Sequence, residues 1–178
     1  MSNDGQRMPV IGGAPRFCAA CGNPVGARDA TGGWPCSLCG TPSFLDPKVA
    51  ACGVPWWEGK IVFVKRAIEP RIGYWASPGG YVDRGEPPHK GAAREVFEET
   101  GLVVATRELL GVFAAPGSPV IVIYYDCEVL SGGPPRPLSE CSEIGLFAPD
   151  EVPWDQLAFP SVNEGVCAAI ARRAGGRP

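Results

Sequence analysis

Residues 80–102 read "GYVDRGEPPHKGAAREVFEETGL", and in this stretch one arginine and three glutamates, Arg94, Glu95, Glu98 and Glu99, share six consecutive positions. The spacing predicts a helix from Pro88 to Thr100, with prolines tolerated at its entry and Gly101 placed to end it. Ala92, Ala93, Val96 and Phe97 are expected to form its buried face. On such a helix the three glutamates are related by i,i+3 and i,i+4 spacing, so their carboxylates crowd one edge. Two carboxylates about 5.5 Å apart repel by about 3 kcal/mol at an effective dielectric near 20, and by under about 1 kcal/mol in bulk water. An exposed i,i+4 pair such as Arg94/Glu98 returns only about 0.5 kcal/mol. Either the edge is a solvated acidic face, or a cation belongs there.

The flanks of the helix bound the fold. "KVAACGV" (48–54) and "KIVFVKR" (60–66) are β-rich segments joined by the turn-like "EGK", and "AIEPRIGYWASPGG" (67–80) is a loop punctuated by proline and glycine. After the helix, "LVVATRELLGVFAA" (102–115) and "PVIVIYYDCEVL" (119–130) read as strands, and "IGLFAP" (144–149) as a last short one. "SVNEGVCAAIARRA" (161–174) closes the chain as a helix with Ser161 as N-cap and basic residues at its C-terminal end. Strands alternating with helices in this order suit a mixed sheet with helices on its faces, an α/β sandwich.

Four of the eight cysteines fall in two C-x2-C pairs, Cys18/Cys21 and Cys36/Cys39, with fourteen residues between the pairs. That is close to the four-cysteine zinc pattern, and the glycine after each pair permits the tight knuckle whose N–H groups point at sulfur. Between Phe17 and Phe44 there is too little apolar surface to stabilise some 30 residues without a cross-link or metal. A structural Zn2+ ribbon is therefore expected, with no ligand position left open for catalysis. Its charged residues are Arg16, Arg28 and Asp29 alone, too few to track a phosphate backbone, so stability or a dimer contact is preferred to RNA docking. Cys52, Cys127, Cys141 and Cys167 read as core or near-surface thiols. The expected organisation is a flexible tail at 1–15, a zinc ribbon at 16–45 and a catalytic domain at 46–178.

The chain of 178 residues, with net charge −3 and pI about 5.2, carries no general attraction to nucleic acid or anionic lipid. Neither a secretory leader nor an apolar run of about 18 residues is present in the sequence, so a cytoplasmic protein without membrane contact is expected.

The segment 80–102 matches G-x5-E-x7-R-E-U-x-E-E-x-G-U, with U a bulky aliphatic residue, at every fixed position, Gly80, Glu86, Arg94, Glu95, Glu98, Glu99 and Gly101 included. With seven fixed residues at about 6% usage each, a chance match in such a chain is rarer than about one in a million. The chain thus resembles the Nudix hydrolases. The resemblance implies an α/β/α sandwich and a catalytic Mg2+ or Mn2+ held by Glu95, Glu98, Glu99 and the carbonyl of Gly80, with Glu86 and Arg94 as an orienting pair. It implies a general base outside the box, for which Glu143 is preferred to Glu140, both in "SECSEIGLF". Arg66 is a candidate phosphate contact, and Tyr74 or Trp75 a candidate stacking surface for a base, against the alternative that they pack beneath the loop. His89, the only histidine, is expected in solvent.

Within the family, "DPKVAACGV", "YWASPGGYVDRGE" and "GLFAPDEVPWDQLAFPSV" resemble FAD and ADP-ribose pyrophosphatases, while the S-Q-P-W-P-F-P-x-S motif of NADH pyrophosphatases is missing after the box. The loop from Val129 to Glu143 departs from that pattern. The resemblance implies hydrolysis of ADP-ribose or FAD to AMP and a second phosphorylated product by a homodimer, with NADH or NAD-capped RNA, or binding without turnover, as alternatives.

Overall fold

The computed structural model describes residues 13–175, so most of the expected tail lies outside the described residues. The chain divides into two compact units between Pro47 and Lys48.

In the first unit, strands β1 (Trp34–Pro35) and β2 (Pro42–Ser43) pair antiparallel, and the four cysteines converge beside them. Arg28 lies over the Trp34 ring at 5.3 Å and donates to the Gly32 carbonyl at 3.0 Å. The Asp29 carboxylate accepts from the Thr31 N–H and hydroxyl and from the Gly33 N–H. Two of the three expected ribbon charges, Arg28 and Asp29, therefore serve local turns.

The second unit is built on a mixed sheet. Its strands are β3 (Lys48–Trp57), β4 (Lys60–Arg66), β5 (Trp75–Ala76), β6 (Gly79–Tyr81), β7 (Val103–Phe113), β8 (Val120–Ser131) and β9 (Cys141–Phe147). Helix α1 (Pro88–Thr100) and helix α2 (Pro160–Arg173) complete it, with a 3-10 turn at Trp154–Gln156. The sheet runs β5-β4-β3-β8-β7, with β6 added to β3 and β9 to β4. Among the strand pairs of the described residues, β3 and β8 alone run parallel. β3 and β4 pair only at Trp56/Ile61 and Trp57/Lys60. Beyond that they part, β6 taking the freed flank of β3 and β5 that of β4, while β9 pairs along the opposite flank of β4. The split seats the functional groups described below.

Two apolar cores flank the sheet. Val162, Val166 and Ala169 of α2 pack with Val54, Ile61, Phe63 and Tyr124. Val96 of α1 packs with Val62, Leu102, Val104 and Cys127. Strand assignments in the sequence correspond to β3, β4, β7, β8 and β9, whereas the loop expected at 67–80 contains the short β5 and β6. β5 is held by β4 some ten residues before it and β6 by β3 nearly thirty residues before it, pairings which local composition does not encode.

The helix at Pro88–Thr100 forms over the expected residues, and Gly101 ends it at φ 74°, donating its N–H to the Phe97 carbonyl. Phe97 corrects the expected buried face: it is 52% exposed, while Gly91, Ala92, Val96 and Thr100 are buried. One residue advances the helix by about 100°, so Phe97 falls past the edge of the stripe set by Ala92 and Val96. α2 likewise begins one residue early, with Pro160 in its first turn and Phe159 as a cap that makes no side-chain bond, so Ser161 is not the N-cap. Proline's fixed φ starts that helix without a capping oxygen.

Candidate active site

Arg94 organises the edge of α1. Its Nε and Nη2 each donate to a different oxygen of Glu86 at 2.9 Å, a fork-to-fork pair, and Nη2 also donates to the Tyr81 carbonyl at 3.1 Å. Its Nη1 donates to Glu95 Oε1 at 2.7 Å and to Glu98 Oε2 at 3.3 Å. One guanidinium thus touches three carboxylates and the strand β6, and it ties the turn before α1 to the helix. The pair holds the Glu86 carboxyl down to about 2, assisted by the Asp83 N–H, and the same carboxylates hold the proton more firmly on Arg94.

Glu95, Glu98 and Glu99 lie at increasing distance from that control. Glu95 is half-buried and leans so close to Gly80 that a Cβ added there would stand 2.5 Å from its Oε1, so a side chain at 80 would displace the Glu95 carboxylate. Burial raises the Glu95 carboxyl against the lowering influence of Arg94. Glu98 is largely in solvent. Glu99 accepts from the Gly79 N–H at 3.0 Å, and burial pushes its carboxyl up to about 7. The Glu95 charge raises it further, while the Gly79 N–H, the Cys141 thiol and Arg66 lower it.

These donors suit a hard divalent cation: carboxylate and carbonyl oxygens, and a buried carboxyl whose ionised form lacks a compensating charge. The carboxylates are not drawn into one tight set, however. Among the described residues, the only group of three or more potential ligands with donor atoms all within 4.8 Å is Cys18, Cys21, Cys36 and Cys39. Arg94 holds Glu95 and Glu98, while Glu99 turns to the Gly79 N–H.

The cysteine cluster has the dimensions of a tetrahedral thiolate site. Its sulfurs are 3.4 to 3.7 Å apart across the two knuckles, against about 3.8 Å for sulfurs placed at 2.3 Å around Zn2+. The Ala20 N–H points at Cys18 Sγ, and the Leu38 and Cys39 N–H groups point at Cys36 Sγ, as the knuckle geometry requires.

The two candidate bases are placed differently. Glu143 of β9 pairs with Lys65 Nζ at 2.7 Å. It shares a strand face with Gly145, which lies against Trp75. Glu140 sits in a tight turn: the Cys141 N–H donates to Leu138 O, and the Ala67 N–H donates to Glu140 O. Ser139 takes φ 48° there, and the Leu138 N–H donates to Glu99 O at the end of α1. The charge of Glu140 is felt at Glu95 and at Cys141. The loop between Val129 and Glu143, expected to depart from the family pattern, is thus fastened to the C-terminal turn of α1.

Arg66, at the end of β4, reaches Glu99 electrostatically, donates Nε to the Pro70 carbonyl at 2.9 Å, and lies over the Phe159 ring at 5.2 Å. Trp75 corrects the stacking expectation: it is 5% exposed, edge-on to Phe147 at 5.3 Å and beneath Lys65 Nζ at 4.8 Å. As the first residue of β5, it belongs to the core. Tyr74 is at the surface beside Arg71, and His89 is exposed as expected.

Two cavities accompany these groups. One of about 430 Å3 lies by the β3–β4 turn and the end of β8, bordered by Trp57 and Leu130, and none of the box residues borders it. The other, about 350 Å3, is bordered by Arg71, Tyr74, Trp154, Asp155, Phe159 and Asn163. Sequence reasoning passes over Trp154, Asp155 and Asn163, because nothing in "PWDQLAFPSVN" sets them apart from its other aromatic and polar residues.

A mixed sheet split around a carboxylate-edged helix, with a glycine strand facing that edge, defines a phosphoanhydride hydrolase of the Nudix type. The NUDIX domain family matches residues 46–165, and the chain belongs to the Nudix hydrolase family. It is 35% identical over 120 residues to an ADP-ribose pyrophosphatase of Methanocaldococcus jannaschii, covering 65% of this chain and 69% of that protein. It is 27% identical over 162 residues to the NAD-capped RNA hydrolase NudC of Pseudomonas aeruginosa, covering 90% of this chain and 57% of that one. The chain therefore spans little more than half the length of the second relative. A crystal structure of a Nudix hydrolase from Nitrosomonas europaea superposes with a TM-score of 0.82 at 32% identity, over 92% of this chain and 95% of that one.

Proposed function

We propose that this chain hydrolyses, with Mg2+ or Mn2+, the pyrophosphate bond of a nucleoside diphosphate linked to another moiety, ADP-ribose or FAD, giving AMP and a second phosphorylated product. The observation that carries the reading is the full set of box carboxylates on one helix edge, facing Gly80 and governed by Arg94. The archaeal relative's name supports ADP-ribose as the substrate.

In this reading Glu95, Glu98, Glu99 and the Gly80 carbonyl hold the cation. When bound, the cation neutralises the diphosphate, polarises the phosphorus and lowers the pKa of a bound water. Glu86 and Arg94 are positioning residues that keep the turn against the helix. Arg66 contacts a phosphate. Glu140 accepts the proton as water oxygen bonds to phosphorus and the bridging P–O bond breaks. Glu143, which pairs with Lys65 at the surface, is the alternative base. The four cysteines hold a structural Zn2+, and the active form is a homodimer in the cytoplasm. NAD-capped RNA or NADH is a second reading, favoured by a relative whose similarity extends across the cysteine segment.

The test is turnover of ADP-ribose, FAD, NADH, diadenosine polyphosphates, nucleoside triphosphates and NAD-capped RNA with Mg2+ or Mn2+. ADP-ribose or FAD should dominate. Glu98→Gln and Glu99→Gln should each lower turnover by orders of magnitude in a folded protein, and Glu140→Gln should cost about 100-fold or more where Glu143→Gln costs little. Tight binding of one compound with no turnover of any would replace the hydrolase by a nucleotide sensor.

A further inference from the structure

The four-cysteine cluster is uneven. In each knuckle the first cysteine is buried and the second exposed: Cys18 and Cys36 are 3% and 4% exposed, while Cys21 and Cys39 are open to solvent. The buried sulfurs take the knuckle N–H groups, Cys18 from Ala20 and Cys36 from Leu38 and Cys39. The exposed ones meet side chains instead: Asn23 Nδ2 donates to Cys21 Sγ at 3.6 Å, and the Thr41 hydroxyl stands 3.3 Å from Cys39 Sγ. Although Cys21 and Cys39 belong to different knuckles, their sulfurs lie 3.4 Å apart on the open side of the cluster.

We infer that Cys21 and Cys39 form an oxidant-sensitive pair, which hydrogen peroxide joins as a disulfide, so that the ribbon releases its Zn2+. This rests on the zinc reading above. Cysteines that respond to oxidants are accessible thiolates with a second cysteine poised beside them, and a zinc ligand is a thiolate already. One sulfur attacks a peroxide oxygen; the O–O bond breaks, hydroxide leaves and a sulfenic acid remains. The other sulfur attacks that sulfur, the S–S bond forms, the S–O bond breaks and a second hydroxide leaves. The two thiolates lose two electrons and the peroxide gains them, ending as water after taking up two protons from solvent. Cys18 and Cys36 alone cannot complete a four-coordinate site, so the cluster gives up the ion. The new bond then joins the same two knuckles that the metal joined. Because the ribbon has too little apolar surface to fold on burial alone, losing the metal also loosens its fold. The other thiols lie in the second unit, where Cys52 and Cys127 are buried and Cys167 is exposed on α2.

The full chain, reduced and loaded with Zn2+, is titrated with limiting hydrogen peroxide. Released zinc is read with a chromogenic chelator, and each thiol by differential alkylation and peptide mass spectrometry. Zinc release should track the loss of Cys21 and Cys39, whose alkylation falls about five-fold or more below that of Cys18 and Cys36. A peptide pair linked through Cys21 and Cys39 should accumulate, and a dithiol with added Zn2+ should restore both thiols and metal. Cys167→Ser should respond as wild type does. Cys39→His keeps four zinc ligands without the second thiol, and should slow zinc release about ten-fold or more. If that variant holds no zinc, the mapping in wild type decides. Zinc uptake by the reduced chain followed by a disulfide between other members, by earlier loss of Cys18 and Cys36, or by zinc retained after Cys21 and Cys39 are oxidised overturns the inference and leaves the zinc reading standing. Release from zinc-loaded Cys39→His at the wild-type rate does the same. A reduced chain that takes up no Zn2+ overturns the zinc reading and the inference with it.

Discussion

Arg94 answers the question that its glutamates raise. A single i,i+4 pair could not offset their repulsion, but this side chain makes a forked pair with Glu86 and single bonds to Glu95 and Glu98. The acid sensitivity of that arrangement is predictable. The folded Glu86 carboxyl titrates near 2, below its ordinary value of 4.5, so the folded state binds fewer protons than the unfolded state between those pH values. Its contribution is therefore fully present above about pH 4.5 and lost as pH falls towards 2. Arg94→Gln should lower the melting temperature at pH 6, and the gap to wild type should narrow as pH is taken down to 3. A gap of constant size across that range would mean that Glu86 owes its ionised state to other partners. Lysine at 94 should recover only part of the loss, because a point charge cannot bond both oxygens of Glu86 and the Tyr81 carbonyl together.

At the scale of elements, α1 shows where sequence reading succeeds and where it stops. Its ends were legible because proline and glycine act through their own backbone geometry, and the carboxylates were legible because fixed spacing places them on one edge. Phe97 and Ser161 were misplaced because burial and capping depend on what the rest of the chain puts beside them: the stripe stops at Val96, and Pro160 starts α2 unaided. β5 and β6 escaped for the same reason, since Trp75 and Ala76 are ordered by Lys65 and Val64, and Gly79–Tyr81 by Ala50–Cys52. The choice between Glu140 and Glu143 turns on strand faces and on the bulge between Lys65 and Arg66, which no local pattern marks. Gly101 gives an element-scale prediction. A Cβ there would meet only Leu138 Cδ1 at 3.6 Å and Arg136 Nε at 3.9 Å, ordinary contacts, so the cost of Gly101→Ala lies in the left-handed backbone at φ 74°. Urea unfolding should show a loss of about 1–2 kcal/mol. A larger loss would indicate that the end of α1 and the 131–140 loop it holds had rearranged.

At the scale of the whole molecule, the two units are stabilised by different physics. The second unit has two apolar cores drawn from six of its strands and two helices. In the described part of the first unit, the buried apolar residues are Cys18 and Cys36, members of the thiol cluster itself. A segment of that size with so small a core cannot meet the conformational entropy of folding by burial, so binding of metal and folding should be one event there. One Zn2+ per chain is therefore expected by elemental analysis, and Cys36→Ser should abolish it. Removal of zinc by a chelator should release the amides of residues 16–45 to rapid hydrogen exchange, while amides of α1 and β8 keep their protection. Retained protection in 16–45 after zinc is gone would show that backbone pairing at β1 and β2 suffices. Simultaneous loss of protection in α1 would show that the metal stabilises both units rather than the one whose core it forms.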